Sequence, residues 1–182
     1  MQPKKIRYDR ELGDAEVPHF LNVMDTKKIT KEAVYQFIEN KIGDADLFLV
    51  DVLVTPDKRI LVEIDIDDGG ISIDTCAALS RYISAEFEAE IGDYELEVAS
   101  AGIGQPFKIL RQYEKHTGKE VEVLMKNGIK QTGILQEVTP EKFTLQITKK
   151  VKLPDAKRKT EVTENLTFTY NEIKQAKYNF RF

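Results

Sequence analysis

The sequence predicts an α+β protein in two parts: an α/β sandwich-like unit (helix-strand-strand-helix-strand), then a small β-barrel. Three observations carry this expectation. Helix-length apolar patterns occur only in the first half, and short alternating runs fill the second. The charge divides with them. Residues 26–107 hold 7 Lys/Arg against 17 Asp/Glu, and residues 108–182 hold 16 against 9, so a total of −4 conceals balances of −10 and +7. Between the halves lies Asp93–Phe107, whose first part alternates like a strand and whose second part, with Gly102, Gly104 and Pro106, suits no regular element.

The first 25 residues mix both charge signs without sustained periodicity and are expected to form a flexible tail. Met24 is a candidate natural start, which would leave residues 1–23 outside the native product. Thr30 can cap a helix that buries Ala33, Val34, Phe37, Ile38 and Ile42 and stops at Gly43. Leu47–Val54 is nearly all apolar and reads as a strand, followed by a turn at Thr55–Lys58. Arg59–Asp67 alternates strictly, with Ile60, Val62, Ile64 and Ile66 on one side and Glu63, Asp65 and Asp67 on the other. Asp74 is the expected cap of a second helix with the stripe Cys76, Leu79, Ile83, Phe87 and Ile91, ended by Gly92. Tyr94, Leu96 and Val98 mark a third strand. Both helices are expected on one face of this small sheet.

The basic half opens with a short helix over Ile109–His116. Strands follow at Lys119–Met125, after the Asn127-Gly128 hairpin, from Phe143, from Thr160 and at the C-terminal end. Five short strands in about 65 residues predict a closed or nearly closed barrel, because closure removes exposed edges.

Several chemistries fit poorly. The carboxylates Glu63, Asp65, Asp67 and Asp68 resemble a cation site only superficially: counted from Asp65, the twelfth position of a calcium loop is Cys76, not Glu. Gly102-Ile103-Gly104 lacks the third glycine of a dinucleotide fingerprint, since Phe107 stands there. The lone Cys76 lies on an apolar stripe, and His19 and His116 share no motif, so no nucleophile–base pair is indicated. No catalytic residue, cofactor, metal or small-molecule substrate is expected. No run of apolar residues approaches membrane-spanning length, and a cytoplasmic protein is expected. The cations are more telling. Lys149, Lys150 and Lys152 precede Pro154, and Lys157, Arg158 and Lys159 follow it, so a hairpin would gather six at its tip. Such a cluster gains by displacing counterions from a phosphate backbone.

The Asp93-Tyr94-Glu95-Leu96-Glu97-Val98 run, then Ser100, Gly102-Ile103 and Pro106, resembles the bacterial ribosome maturation factor RimP family. Gly118-Lys119-Glu120-Val121, Gly133 and Asn171-Glu172-Ile173 support the likeness, which spans about residues 27–182. The resemblance implies an α/β domain at 26–107 joined to an Sm-like/SH3-like barrel at 108–182. It implies assembly of the small (30S) ribosomal subunit without catalysis, through binding of immature subunits, small-subunit rRNA and a basic small-subunit ribosomal protein. The interdomain hinge would comprise Ser100, Gly102, Ile103, Gly104, Gln105 and Pro106. Three departures stand out: the family commonly has Ser at Ala99, Pro at Ala101 and Arg at Gln105. A phosphate contact at Gln105 therefore does not carry over, and Lys108 or Arg111 is the expected substitute, beside Lys149, Lys150, Lys152, Lys157, Arg158 and Lys159. A general Sm-like RNA-binding regulator is the alternative, and a metal-dependent hydrolase using the Glu63–Asp67 face a more distant one.

Overall fold

A computed structural model describes residues 29–42, 46–151 and 160–180. The expected N-terminal tail and most of the loop around Pro154 lie outside the described residues. The structure is a mixed α+β arrangement of two sheets, each with its own apolar cluster.

The first sheet holds β1 (Leu47–Val54), β2 (Arg59–Ile66) and β3 (Glu95–Ser100) in the order β1-β2-β3. β1 and β2 are antiparallel, and β2 and β3 are parallel. Helices α1 (Lys31–Ile42) and α2 (Ile73–Glu86) cover one face, with Val34, Ile38, Leu79 and Ile83 buried against Leu49, Val52, Ile60, Val62 and Ile64. The Thr30 cap forms, its hydroxyl accepting from Ala33 N–H at 3.2 Å. The second helix is capped differently from expectation. Ser72 Oγ accepts from Thr75 N–H at 3.1 Å, and Asp74 lies inside the first turn, where its charge still suits the helix dipole. The predicted single helix also breaks at Phe87, which leaves helical angles (φ −100°, ψ 27°) before the short α3 (Glu88–Ile91).

The second sheet follows α4 (Leu110–Lys115) and contains β4 (Glu120–Met125), β5 (Lys130–Val138), β6 (Lys142–Val151), β7 (Thr160–Thr169) and β8 (Ile173–Tyr178). Its order is β7-β6-β5-β4-β8, with every pairing antiparallel. The expected closure is not found: among the described residues no ladder joins β7 to β8, so the sheet is open. β7 pairs with β6 over ten consecutive positions, whereas β8 turns away through Tyr170–Glu172 to lie along β4. Tyr113, Val121, Val123, Leu135, Phe143, Leu145 and Phe168 fill its interior.

Gly133 makes that interior possible. It faces Val121 on β4, and an added Cβ would stand 2.6 Å from Gln146 O and 2.8 Å from Ile147 Cγ2 of β6. The two backbones cross too closely for any side chain. We expect Gly133→Ala to cost about 1–3 kcal/mol of stability. A lowered urea midpoint with unchanged slope is the predicted result, and an unchanged midpoint contradicts it.

Candidate functional site

The connection between the sheets is short and fixed at both ends. Ala101 N–H donates to Ile64 O at 2.9 Å, extending the β2–β3 pairing by one rung. Ser100 Oγ accepts from Gly102 N–H at 3.2 Å, closing a side-chain turn. Gly102 (φ +72°) and Gly104 (φ +82°) then take left-handed angles that few other residues tolerate. Ile103 between them is 74% exposed, and Gln105 is exposed as well. Pro106 bridges to Lys177, and Phe107 N–H donates to Ala176 O at 2.8 Å, both on β8. The Phe107 ring stacks on His116 at 4.7 Å and meets Tyr113 edge-on at 5.0 Å.

Immediately after this neck come three cations, Lys108, Arg111 and Lys115, which meet the outer face of the first sheet. Lys108 Nζ contacts Asp51 Oδ2 at 3.0 Å and also pairs with Glu63. Asp51 and Glu63 are register partners on β1 and β2, so two carboxylates face each other and a single ammonium answers both. Lys31 adds a second cation at Asp51, 3.1 Å away. Arg111 holds Asp67 with a fork, Nε to Oδ1 at 2.8 Å and Nη2 to Oδ2 at 2.5 Å. Its guanidinium also sits 4.5 Å above the Phe48 ring. Lys115 Nζ meets Asp65 Oδ1 at 2.7 Å, with side chains only 8% and 14% exposed. The rungs surround a small apolar contact in which Ile109 packs on Phe48, Val50 and Ala101.

Two local devices aim these cations. Gln112, 5% exposed, folds back so that its Oε1 accepts from Lys108 N–H at 2.7 Å and Ile109 N–H at 3.3 Å. This satisfies amides that the short helix leaves open. On the other side, strict alternation along β2 puts Glu63, Asp65 and Asp67 on the face away from α1 and α2. Burial alone would raise the Asp51 carboxyl, but the ammonium groups of Lys108 and Lys31 outweigh it and hold the carboxyl below its ordinary range. Arg111 lowers Asp67 in the same way. Desolvation opposes the charge on Lys108, yet Glu63 and Asp51 raise its value overall. Burial depresses His116, whose Nδ1 lies 2.6 Å from Gln112 O.

The sequence-predicted contacts thus separate into groups. Lys108 and Arg111 are committed to carboxylates of the same chain. Lys149 on β6 pairs with Glu164 on β7. Lys150 stands opposite Glu161 in the β6–β7 register. Lys152, Lys157, Arg158 and Lys159 lie outside the described residues. The acidic stripe is not a bare solvated strand face: its carboxylates are answered by Lys and Arg. Lys115, Gln112 and Asp51 carry the contact without having been singled out by sequence. The available signal was the match between cations at 108, 111 and 115 and carboxylates at 63, 65 and 67.

Two results test this geometry. Lys115→Met strands a mostly buried carboxylate and should cost about 2 kcal/mol, partly restored by adding Asp65→Asn; equal stability of Lys115→Met and wild type in urea contradicts the pairing. Asp51 and Asp67 have folded values below their unfolded ones. Their contribution is therefore present above the unfolded carboxylate value, near pH 4, and is lost as pH falls through the folded values. Between pH 6 and pH 3 the wild type should lose more stability than Asp51→Asn/Asp67→Asn, and parallel pH profiles would contradict this.

Comparison with known proteins agrees with these features. Residues 37–104 match the family model described as the RimP N-terminal domain. A ribosome maturation factor RimP from Porphyromonas gingivalis is 42% identical over 148 residues, 81% of this chain and 97% of that protein. Proteins of the same name from Christiangramia forsetii and Flavobacterium psychrophilum are 30% and 29% identical, covering 86% and 80% of this chain and 98% and 94% of theirs. With its Gly102–Pro106 neck inserted between an α/β sheet and an all-antiparallel one, and with this extent of shared sequence, the chain belongs to the ribosome maturation factor RimP family.

Proposed function

We propose that this chain promotes maturation of the small (30S) ribosomal subunit in the cytoplasm, and that it does so by binding alone. In this reading it associates with immature subunits, touching small-subunit rRNA and a basic small-subunit ribosomal protein. Residues 26–107 and 108–182 act as an acidic and a basic domain. The five-stranded sheet is read as an opened relative of the Sm-like barrel. No catalytic step is invoked: a factor that prefers one assembly intermediate raises that intermediate's population.

The observation that carries the reading is 42% identity to a ribosome maturation factor over nearly its whole length. The charge division supports the choice of partners, because the basic half suits phosphate and the acidic half suits a basic protein. The ion pairs refine which cations meet phosphate. Lys108, Arg111 and Lys115 would have to abandon carboxylates first. The exposed Lys119, Lys126, Lys142 and Lys174, which make no ion pair among the described residues, carry no such debt in this reading.

Gradient sedimentation of extracts tests the proposal. The protein should travel with immature small subunits at low salt and detach progressively as salt rises, as counterion release requires. Lys157→Glu/Arg158→Glu/Lys159→Glu should weaken that association by about tenfold. Absence from every ribosomal fraction at low salt contradicts the function. Equal binding to unrelated RNAs would favour a general RNA-binding regulator instead.

A further inference from the structure

The outer face of the first sheet is only half covered. One row across it, Asp51–Glu63–Ala99, lies under Lys108. The next row is Leu53–Leu61–Glu97, two residues further along each strand and so on the same face, about 7 Å away. Among the described residues, those that line the surface there all belong to the first sheet and its β1–β2 turn. Leu53 is 50% exposed, and Leu61 belongs to none of the apolar clusters. Leu53, Leu61, Arg59, Glu95 and Glu97 line a shallow groove there. Arg59 answers Glu95 at 3.1 Å and Asp57 at 3.6 Å, which leaves Glu97 with no ion pair among the described residues.

We propose that this groove receives a basic segment of a second protein in which an aliphatic side chain stands between lysines or arginines. The covered half of the face shows the required chemistry. There the chain supplies Lys108, Ile109 and Arg111: the aliphatic group enters among Phe48, Val50 and Ala101, and the cations settle on flanking carboxylates. The uncovered half offers a similar surface, with Leu53 and Leu61 as the apolar floor and Glu97, beside the Arg59-paired Glu95, as the acidic wall. The groove is thus continuous with an interface already formed and complementary in charge to such a segment. The groove's charged lining is two carboxylates against one cation, Arg59, which disfavours a phosphate backbone as the occupant. The inference rests on the reading of the protein as a maturation factor with a basic ribosomal protein partner, and adds the surface and the segment it takes.

The test mixes the full chain with proteins extracted from purified small subunits and adds a carbodiimide, which joins carboxylates to amines. Fragments are then mapped by mass spectrometry. Glu95 and Glu97 should be joined to lysines that flank an aliphatic residue in one small-subunit protein. Joining at Glu95 should fall about fivefold in Leu53→Ser and in Glu97→Lys, both at exposed positions that leave the core intact. An unlabelled groove, labelling insensitive to both substitutions, or joining to lysines of the same chain would overturn the inference. Co-sedimentation with immature subunits is measured in parallel. If it persists while the groove stays unlabelled, only this inference fails; if it is absent from the wild type, the functional reading fails.

Discussion

Opposite charge laid rung upon rung along β2 is the constraint on which the rest of this structure depends. Alone, the outer face of the first sheet would repel itself. Glu63, Asp65 and Asp67 follow one another along one strand, and Asp51 stands directly across from Glu63. The three cations after the neck cancel that repulsion and fix where the second sheet sits. Their energies are unequal. Exposed pairs such as Arg111–Asp67 are screened by water and add little, so they set orientation more than stability. The Lys115–Asp65 pair is largely withdrawn from water, which makes mispairing there expensive. Ile109 against Phe48 and Val50 supplies the apolar attraction.

This arrangement changes the meaning of the charge asymmetry. The sum over residues 108–182 is strongly positive, yet the cations nearest the neck already face carboxylates. The phosphate contacts proposed for this chain therefore fall to other cations, such as the exposed Lys119, Lys126, Lys142 and Lys174. The acidic half is likewise partly occupied, and on β3 Glu95 is answered by Arg59 while Glu97 makes no ion pair among the described residues. A nearly neutral chain can in this way present separated surfaces of opposite sign without the two halves collapsing at random, because the ladder gives their attraction one register.

Much of the fold was legible because it rests on local rules. Strict alternation from Ile60 to Asp67 assigned β2 and both of its faces, and Thr30 and Asn127-Gly128 marked a helix start and a hairpin. The failures have physical causes. Asp74 and Ser72 are both good caps, and the backbone angles at Ser72 decided between them. The break at Phe87 leaves its ring edge-on to Phe37, 5.5 Å away, a tertiary contact that no helical periodicity encodes. Closure of the barrel depends on which strands pair at long range, and strand count does not specify that. The site was visible only in pieces: the carboxylate stripe and the cations after the neck were each apparent, but their pairing joins residues 44 to 57 positions apart. Sequence spacing on each element agrees with the pairing without requiring it.

The relative orientation of the two sheets in solution tests the central claim most directly. Residual dipolar couplings measured for backbone amides of β1–β3 and of β4–β8 at neutral pH and low salt should fit one shared alignment tensor, with the sheets oriented as the ladder holds them. Two independent tensors, with the couplings of each sheet averaged separately, would contradict the account.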